Sequence, residues 1–260
     1  MKNADTRTLL FGIFVSAGGK LTAGQVIALA APLGISASNV KSHLTRLVQE
    51  GALDRSGPTR QAEYAPTKSQ CGVVEGITAR LQQHRAPEPW NGAWIMLTPR
   101  VTGSRGEREW LRASLWFDGF RATPHTTSPG TYLRPAWPRA WAIGRARQYP
   151  GICVVGALLE PLGFVLLDKM YELDEFDRQA RKLADWIGRR PIPRDPGRAF
   201  AEQLKTGSRV TRLISHDPRL PAVLWGQRTG LAELVDAWVR FEARIASKAG
   251  QFVADVMASS

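Results

Sequence analysis

Residues 36–55 read SASNVKSHLTRLVQEGALDR, and the helix written into them decides the fold. At 100° per residue, Val40, Leu44, Leu47 and Val48, together with Ala37, fall on one side. Ser38, Asn39, Ser42, Thr45, Arg46 and Gln49 fall opposite, with Lys41 and His43 on the flanks. Ser36 is suited to cap the helix start and Gly51 to stop it, so the helix is expected to run to about Glu50. The leucine seam requires an apolar neighbour. The other side carries short polar groups that let a backbone approach base edges, and Asn, Ser, Thr, Lys and Arg hydrogen-bond to bases or phosphates.

Working outward, residues 5–16 place Leu9, Leu10, Ile13 and Phe14 at helical spacing before the Gly18-Gly19 stop. Thr22 and Gln25 form a capping-box pattern that opens a second helix, with Val26, Ile27, Leu29 and Ala30 on its buried side. After Gly51, ALDR and AEYAPT read as two short strands around SGPTRQ, whose flanks carry Arg55 and Arg60. Three helices followed by a basic hairpin predict a winged helix-turn-helix. Another helix is expected over Gln70–His84, with Val73, Val74, Ile77 and Leu81 buried, and the Pro-rich RAPEPW ends the first domain, 1–86.

The chain has 260 residues, too many for one small domain, and its 43% hydrophobic content is enough for packed cores. A net charge of +12 favours a polyanionic partner, nucleic acid first, although no segment is polybasic. Cys71 and Cys153 are far apart in apolar surroundings, which points to core filling in a reducing, cytoplasmic setting and not to a zinc site. The N-terminus MKNADTRTLLFGIF lacks a small-residue cleavage signal and its apolar run is too short for export, and the run ICVVGALLEPLGFVLL is broken by Glu160 and Pro161, so neither an export signal nor a membrane span is expected.

From Gly92 the pattern reads strand (GAWIMLTP), helix (GEREWLRASLWF), strand (FRATP), strand (TYLRP), helix (PRAWAIGRARQ) and strand (ICVVGALLE). That β-α-β-β-α-β order predicts a ferredoxin-like domain over 87–167. Beyond Asp168, Leu173, Phe176, Ala180, Leu183 and Ile187 mark one amphipathic helix, and Leu231, Leu234, Trp238, Phe241 and Ile245 mark the last, predicting a helical C-terminal domain over 168–260. The expected fold class is α+β.

Trp90-Asn91-Gly92-Ala93-Trp94, the helix REWLRASLWFDGF and Asp217-Pro218-Arg219-Leu220-Pro221, in this order after a winged helix, resemble the PaaX family of transcriptional repressors over nearly the whole chain. The resemblance implies a repressor of an aromatic-acid catabolic operon, typically phenylacetate degradation, that releases DNA when an aryl-CoA thioester binds. It also implies a central domain similar to the CRISPR-associated Cas2 proteins. One departure is visible: where the family continues with Leu-Pro and Trp-Pro-Gly elements, this chain reads AVLWGQRTG, with Trp225 and Gly226 as the nearest remnant.

Catalytic chemistry finds few starting groups. The four histidines, at 43, 84, 125 and 216, do not pair at metal-ligand spacing, and His216-Asp217 lacks the further ligands of an HD phosphohydrolase. There is no Gly-x-Ser-x-Gly elbow, Walker loop or Gly-x-Gly-x-x-Gly. A metal-dependent nuclease on the Cas2-like domain would need a carboxylate at the end of the first strand, which here reads Met96-Leu97-Thr98-Pro99. The reading is therefore a binder, not an enzyme, with no cofactor and no metal; that nuclease and a winged-helix assembly scaffold are the alternatives.

The middle domain interleaves Trp90, Trp94, Trp110, Trp116, Phe117, Phe120, Tyr132, Trp137 and Trp141 with Arg105, Arg108, Arg112 and Arg134. Either these aromatics fill the core while the arginines face water, or some line a cleft for an aryl group with arginines toward phosphates. Trp94, Arg108, Arg112, Trp116 and His216 are the residues expected at such an effector site. For DNA the expected contacts are Ser38, Asn39, Lys41, Ser42, His43, Thr45, Arg46, Arg55 and Arg60. A homodimer would place two such helices in successive major grooves about 34 Å apart on a double-stranded operator.

Overall fold

Thr22 opens its helix as the spacing predicts. The Thr22 hydroxyl accepts from the Gln25 amide at 3.2 Å, and the Gln25 side chain accepts from the Thr22 amide at 2.8 Å. The computed structural model describes residues 6–58, 62–68, 70, 89–100, 104–123, 130–157 and 164–259. The expected Gln70–His84 helix, apart from Gln70, lies outside them, as do Arg60, Cys71, His84 and His125.

Helix α1 spans Thr6–Ser16, strand β1 Leu21–Thr22, α2 Ala23–Ala30 and α3 Ala37–Gln49. The hairpin follows as β2, Leu53–Ser56, and β3, Glu63–Pro66. The strands form an antiparallel sheet in the order β1-β3-β2, with Arg55 opposite Tyr64. Leu9, Leu10, Ile13 and Phe14 of α1, Val26 and Leu29 of α2, Val40, Leu44 and Leu47 of α3, and Leu53 of β2 share one buried core. Ile27 and Val48 are only partly buried. Ala37, read from its angle as buried, is exposed, because it sits in the first turn beyond the reach of the neighbouring helices. At Gly51 the chain turns with φ +66°, the left-handed conformation that ends a helix, and the Ala52 amide reaches back to the Leu47 carbonyl at 2.8 Å.

The second sheet is built from β4, Ala93–Pro99; β5, Arg121–Ala122; β6, Tyr132–Pro135; and β7, Gly151–Ala157. Helix α4, Arg105–Phe117, links the first two strands, and α5, Arg139–Ala146, links the last two. All pairings are antiparallel in the order β5-β6-β4-β7. The β-α-β-β-α-β order thus appears as expected, although FRATP yields a strand of only two residues. Ser104 caps α4 through a second capping box: its hydroxyl accepts from the Glu107 amide, and the Glu107 carboxylate accepts from the Ser104 amide. Those hydrogen bonds hold the Glu107 carboxyl below its ordinary range. Gly151 starts β7 where a Cβ would lie 2.7 Å from the Pro99 Cα, so only glycine lets the two strands close there.

Ile95, Leu97, Leu115, Phe120, Ala142, Ala146 and Tyr149 form the core of this sheet and its helices. One expectation fails, and Arg134 fits neither reading offered for it. Cys153 is exposed on β7, not core filling, because β7 is an edge strand whose Ile152 is 70% exposed. Arg134 does not face water: it is fully buried, donating to the carbonyls of Pro135 at 3.0 Å and Trp137 at 2.7 Å and also to that of Asp118.

Three further helices are α6, Phe164–Tyr171; α7, Leu173–Gly188; and α8, Pro196–Ile214; a last long helix, α9, spans Gly230–Ala258. The chain divides into two compact units, one of residues 1–79, 183–212 and 235–260, the other of 80–182 and 213–234. Segment 168–260, read as a helical domain of its own, supplies residues to both. In the first unit, Phe200, Ala201 and Leu204 of α8 and Ala249 of α9 belong to the same core as α1, α2 and α3. A Cβ on Gly12 would lie 3.0 Å from Leu204. In the second, Phe176 packs on Trp225 with ring centroids 5.5 Å apart, and Arg228 bridges Asp168 and Asp174. Among the described residues no helix is long and apolar enough to cross a membrane.

Candidate nucleic-acid interface

Helix α3 is held at its start by Ser36, whose hydroxyl accepts from the Asn39 amide at 3.3 Å and lies 3.1 Å from the Ser38 hydroxyl. Val40, Leu44 and Leu47 bind its inner side to the core. Consequently Ser38, Asn39, Lys41, Ser42, Thr45, Arg46 and Gln49 are all exposed, and His43 is half-buried. The structure therefore places seven of the nine expected DNA contacts, Ser38, Asn39, Lys41, Ser42, His43, Thr45 and Arg46, on one helix. Arg55 is exposed on β2, and Arg60 falls outside the described residues.

Besides Ser38, three of these groups are already engaged. The Thr45 hydroxyl donates to the Lys41 carbonyl at 3.1 Å, which turns it onto its own helix. Arg46 is held from two sides: one nitrogen lies 2.9 Å from His43 Nδ1, and its Nε is 3.7 Å from a Glu50 carboxylate oxygen. Arg7 of α1 pairs with the same carboxylate. Spacing alone did not show this chain from Arg7 through Glu50 and Arg46 to His43, although Arg46 and Glu50 are four apart on one helix, the interval at which opposite charges meet.

Glu50 neutralises a guanidinium that faces outward, so it competes with any phosphate for Arg46. Replacing Glu50 with Gln is expected to raise affinity for duplex DNA several-fold at low salt. An exposed pair is worth at most about 1 kcal/mol, which caps the gain at about fivefold. Fluorescence anisotropy of a labelled duplex checks it, and an unchanged or weaker affinity contradicts the competition.

The five residues expected around an effector are only partly gathered. Trp116, 39% exposed at the end of α4, meets the His216 ring edge-on with centroids 4.9 Å apart. Trp94 is buried and packs instead against Trp90, 5.8 Å between centroids. Arg108 and Arg112 are exposed on α4. Trp110, at 68% exposure, is not core either.

Sequence reasoning missed the buried arginines near this position. Arg121 donates to the carbonyls of Trp116 and Phe120 and stacks 4.5 Å over the Trp116 ring. Burial pushes its guanidinium below the ordinary value. Arg219 is buried 3.8 Å over the Trp141 ring. Its backbone takes φ +54° inside the DPRLP element, and its amide donates to Asp217 at 2.9 Å. Asp118, also buried, accepts from Arg145 at 2.9 Å and from the Tyr149 hydroxyl at 2.6 Å. Burial and that hydrogen bond push the Tyr149 hydroxyl well above its ordinary range.

With helix and hairpin in place, comparison with known proteins bears on the first unit. Residues 6–69 match the family described as PaaX-like protein. The PaaX-like match covers α1 to α3 and the hairpin, the region that carries the outward polar helix. No curated protein matches. A solved structure described as Uncharacterized protein Rv0674 from Mycobacterium tuberculosis is 21% identical. It aligns over 94% of this chain and 96% of its own, with a TM-score of 0.56. At that identity the likeness concerns the fold.

Proposed function

We propose that the chain is a DNA-binding transcriptional regulator, with α1 to α3 and the β2-β3 hairpin acting as a winged helix-turn-helix and β4 to β7 with α4 and α5 as a ferredoxin-like, Cas2-like domain. The observation that carries the reading is the division of α3: its leucines are sealed in the core while Ser38, Asn39, Ser42 and Arg46 face outward, within the PaaX-like match. Asn39 and Ser42 would read base edges, Lys41 and Arg46 would hold phosphates, and Arg55 and Arg60 would anchor the hairpin. The protein acts in this reading as a cytoplasmic homodimer and catalyses nothing.

Control would come from a small effector, an aromatic acid or aryl-CoA thioester, that lowers DNA affinity and so lifts repression of a catabolic operon. Trp116 beside His216 is the pair that supports a ring-binding position, and Arg108 and Arg112 on the same helix as Trp116 are the cations available for phosphate. Footprinting of the intergenic DNA beside its gene, with and without aryl-CoA esters, tests this: protection that does not respond to any ester removes the effector.

The helix is tested by Arg46→Ala. Loss of one phosphate contact should weaken duplex binding and reduce the slope of log affinity against log salt by about 0.9. If neither quantity moves, α3 is not the reader. Cleavage of DNA or RNA by the protein with divalent metals would support a nuclease instead. Failure to bind its promoter DNA at low salt would support an assembly scaffold.

A further inference from the structure

The run Arg189-Arg190-Pro191-Ile192-Pro193-Arg194-Asp195-Pro196-Gly197-Arg198 lies far from the winged helix in sequence but in the same compact unit. Gly197, at the start of α8, is the point of contact. A Cβ there would lie 3.3 Å from the Pro32 ring and 3.5 Å from the Phe252 ring, so the start of α8 packs directly against Pro32 and Phe252. Pro32 belongs to the turn between α2 and α3, four residues before the cap Ser36. This contact brings the run alongside the turn that leads into α3.

The arginines of the run have different fates. Arg190 is spent internally, bonded to Glu202 at 2.6 Å and stacked 4.5 Å over Trp186. Arg194 and Arg198 are exposed, and no ion pair to either is present among the described residues. Asp195 sits between them, but its Oδ1 accepts from the Arg198 backbone amide at 2.7 Å. Three prolines at 191, 193 and 196 restrict the backbone that presents them. Both cations flank a helix start, where positive charge is disfavoured by the backbone dipole, so their placement gains nothing for the helix itself. A polyanion in front of them turns that disfavoured arrangement into a favourable one.

We propose that Arg194 and Arg198 form a second phosphate-binding position that clamps duplex DNA beside the start of α3, so that the nucleic-acid surface is assembled from both ends of the chain. Arg198 is next to Gly197 and Arg194 is three residues away, at most about 11 Å along the chain at 3.8 Å per residue. Both are therefore held at the flank of the helix-turn-helix turn. The inference rests on the proposed duplex binding by α3.

The test uses the full-length protein and a labelled duplex of about 30 base pairs of random sequence, titrated across a salt series. Arg194→Ala/Arg198→Ala is expected to weaken binding about fivefold or more near physiological salt and to lower the salt slope by about 1.8, two contacts at about 0.9 each. Its melting temperature should be unchanged. Arg194→Lys/Arg198→Lys should keep most of the slope. Arg240→Ala/Arg244→Ala, which removes two exposed charges of the same unit from α9, should keep it as well. An unchanged slope in the first variant, or an equal loss in the α9 variant, overturns the clamp. If the wild type binds and Arg46→Ala loses slope while Arg194→Ala/Arg198→Ala does not, the clamp alone fails. If the wild type binds no duplex at low salt, the regulator reading fails and takes the clamp with it.

Discussion

Replacing Arg134 with Ala is expected to destabilise the unit built on β4 to β7 by about 4 kcal/mol. The guanidinium supplies donors to three carbonyls, those of Asp118, Pro135 and Trp137, and each buried acceptor that loses a donor costs about 1–3 kcal/mol, not additively. It also lies 4.7 Å from the Trp141 ring and 5.6 Å from the Phe120 ring, contacts that Ala abandons and leaves as a void. Arg134→Met would refill much of the volume without restoring a donor, so it should recover only part of the loss. Urea unfolding of the full-length variants measures both. A change within about 0.5 kcal/mol, the usual range for a surface substitution, would mean that Arg134 faces water after all.

Asn39→Asp is expected to separate folding from binding by moving them in opposite directions. Asn39 is the third residue of α3, and its amide donates to the Ser36 cap. A carboxylate there lies near the positive end of the helix and should stabilise it by about 0.3–1 kcal/mol. On the duplex proposed for α3 the same carboxylate would face phosphates and lose the paired donor and acceptor that an amide offers to adenine, a contact worth about 1–3 kcal/mol before repulsion is counted. The expected result is a melting temperature equal to or above wild type, with operator binding weaker by at least about fivefold, the lower end of that range. Equal binding by the two proteins would remove Asn39 from the interface.

These two residues mark the limits of what the sequence discloses. The two-sided character of α3 was legible because local chemistry fixes it: Ser36 caps, Gly51 turns, and the angular separation of Leu44 from Ser42 survives any tertiary context. The alternation of strands and helices from β4 to β7 was legible for the same reason. Arg134 was not. Between Leu133 and Pro135 in a short strand, it carries no sign that neighbouring carbonyls will close around it, because those carbonyls come from residues 118 and 137 as well as from its own turn.

The covering of apolar faces was hidden in a similar way. Leu231, Leu234, Trp238, Phe241 and Ile245 announce an amphipathic last helix, but periodicity names the face and not its partner, and Ala249 of that helix proved to share the core of α1 to α3. Cys153 errs in the opposite direction. Its strand is apolar throughout yet lies at the sheet edge, so composition suggested burial where topology leaves the strand open.

The sharing of one core by residues from both ends of the chain has a consequence during synthesis. The first 79 residues are made long before Phe200 and Ala249 exist, and chain growth at roughly 5–20 residues per second leaves Leu9, Phe14 and their neighbours waiting for about 10–50 seconds. A nascent chain halted before α9 would carry the outward-facing helix on an unfinished scaffold. A nonsense codon late in the gene would therefore cost α1 to α3 part of their cover as well as removing the tail.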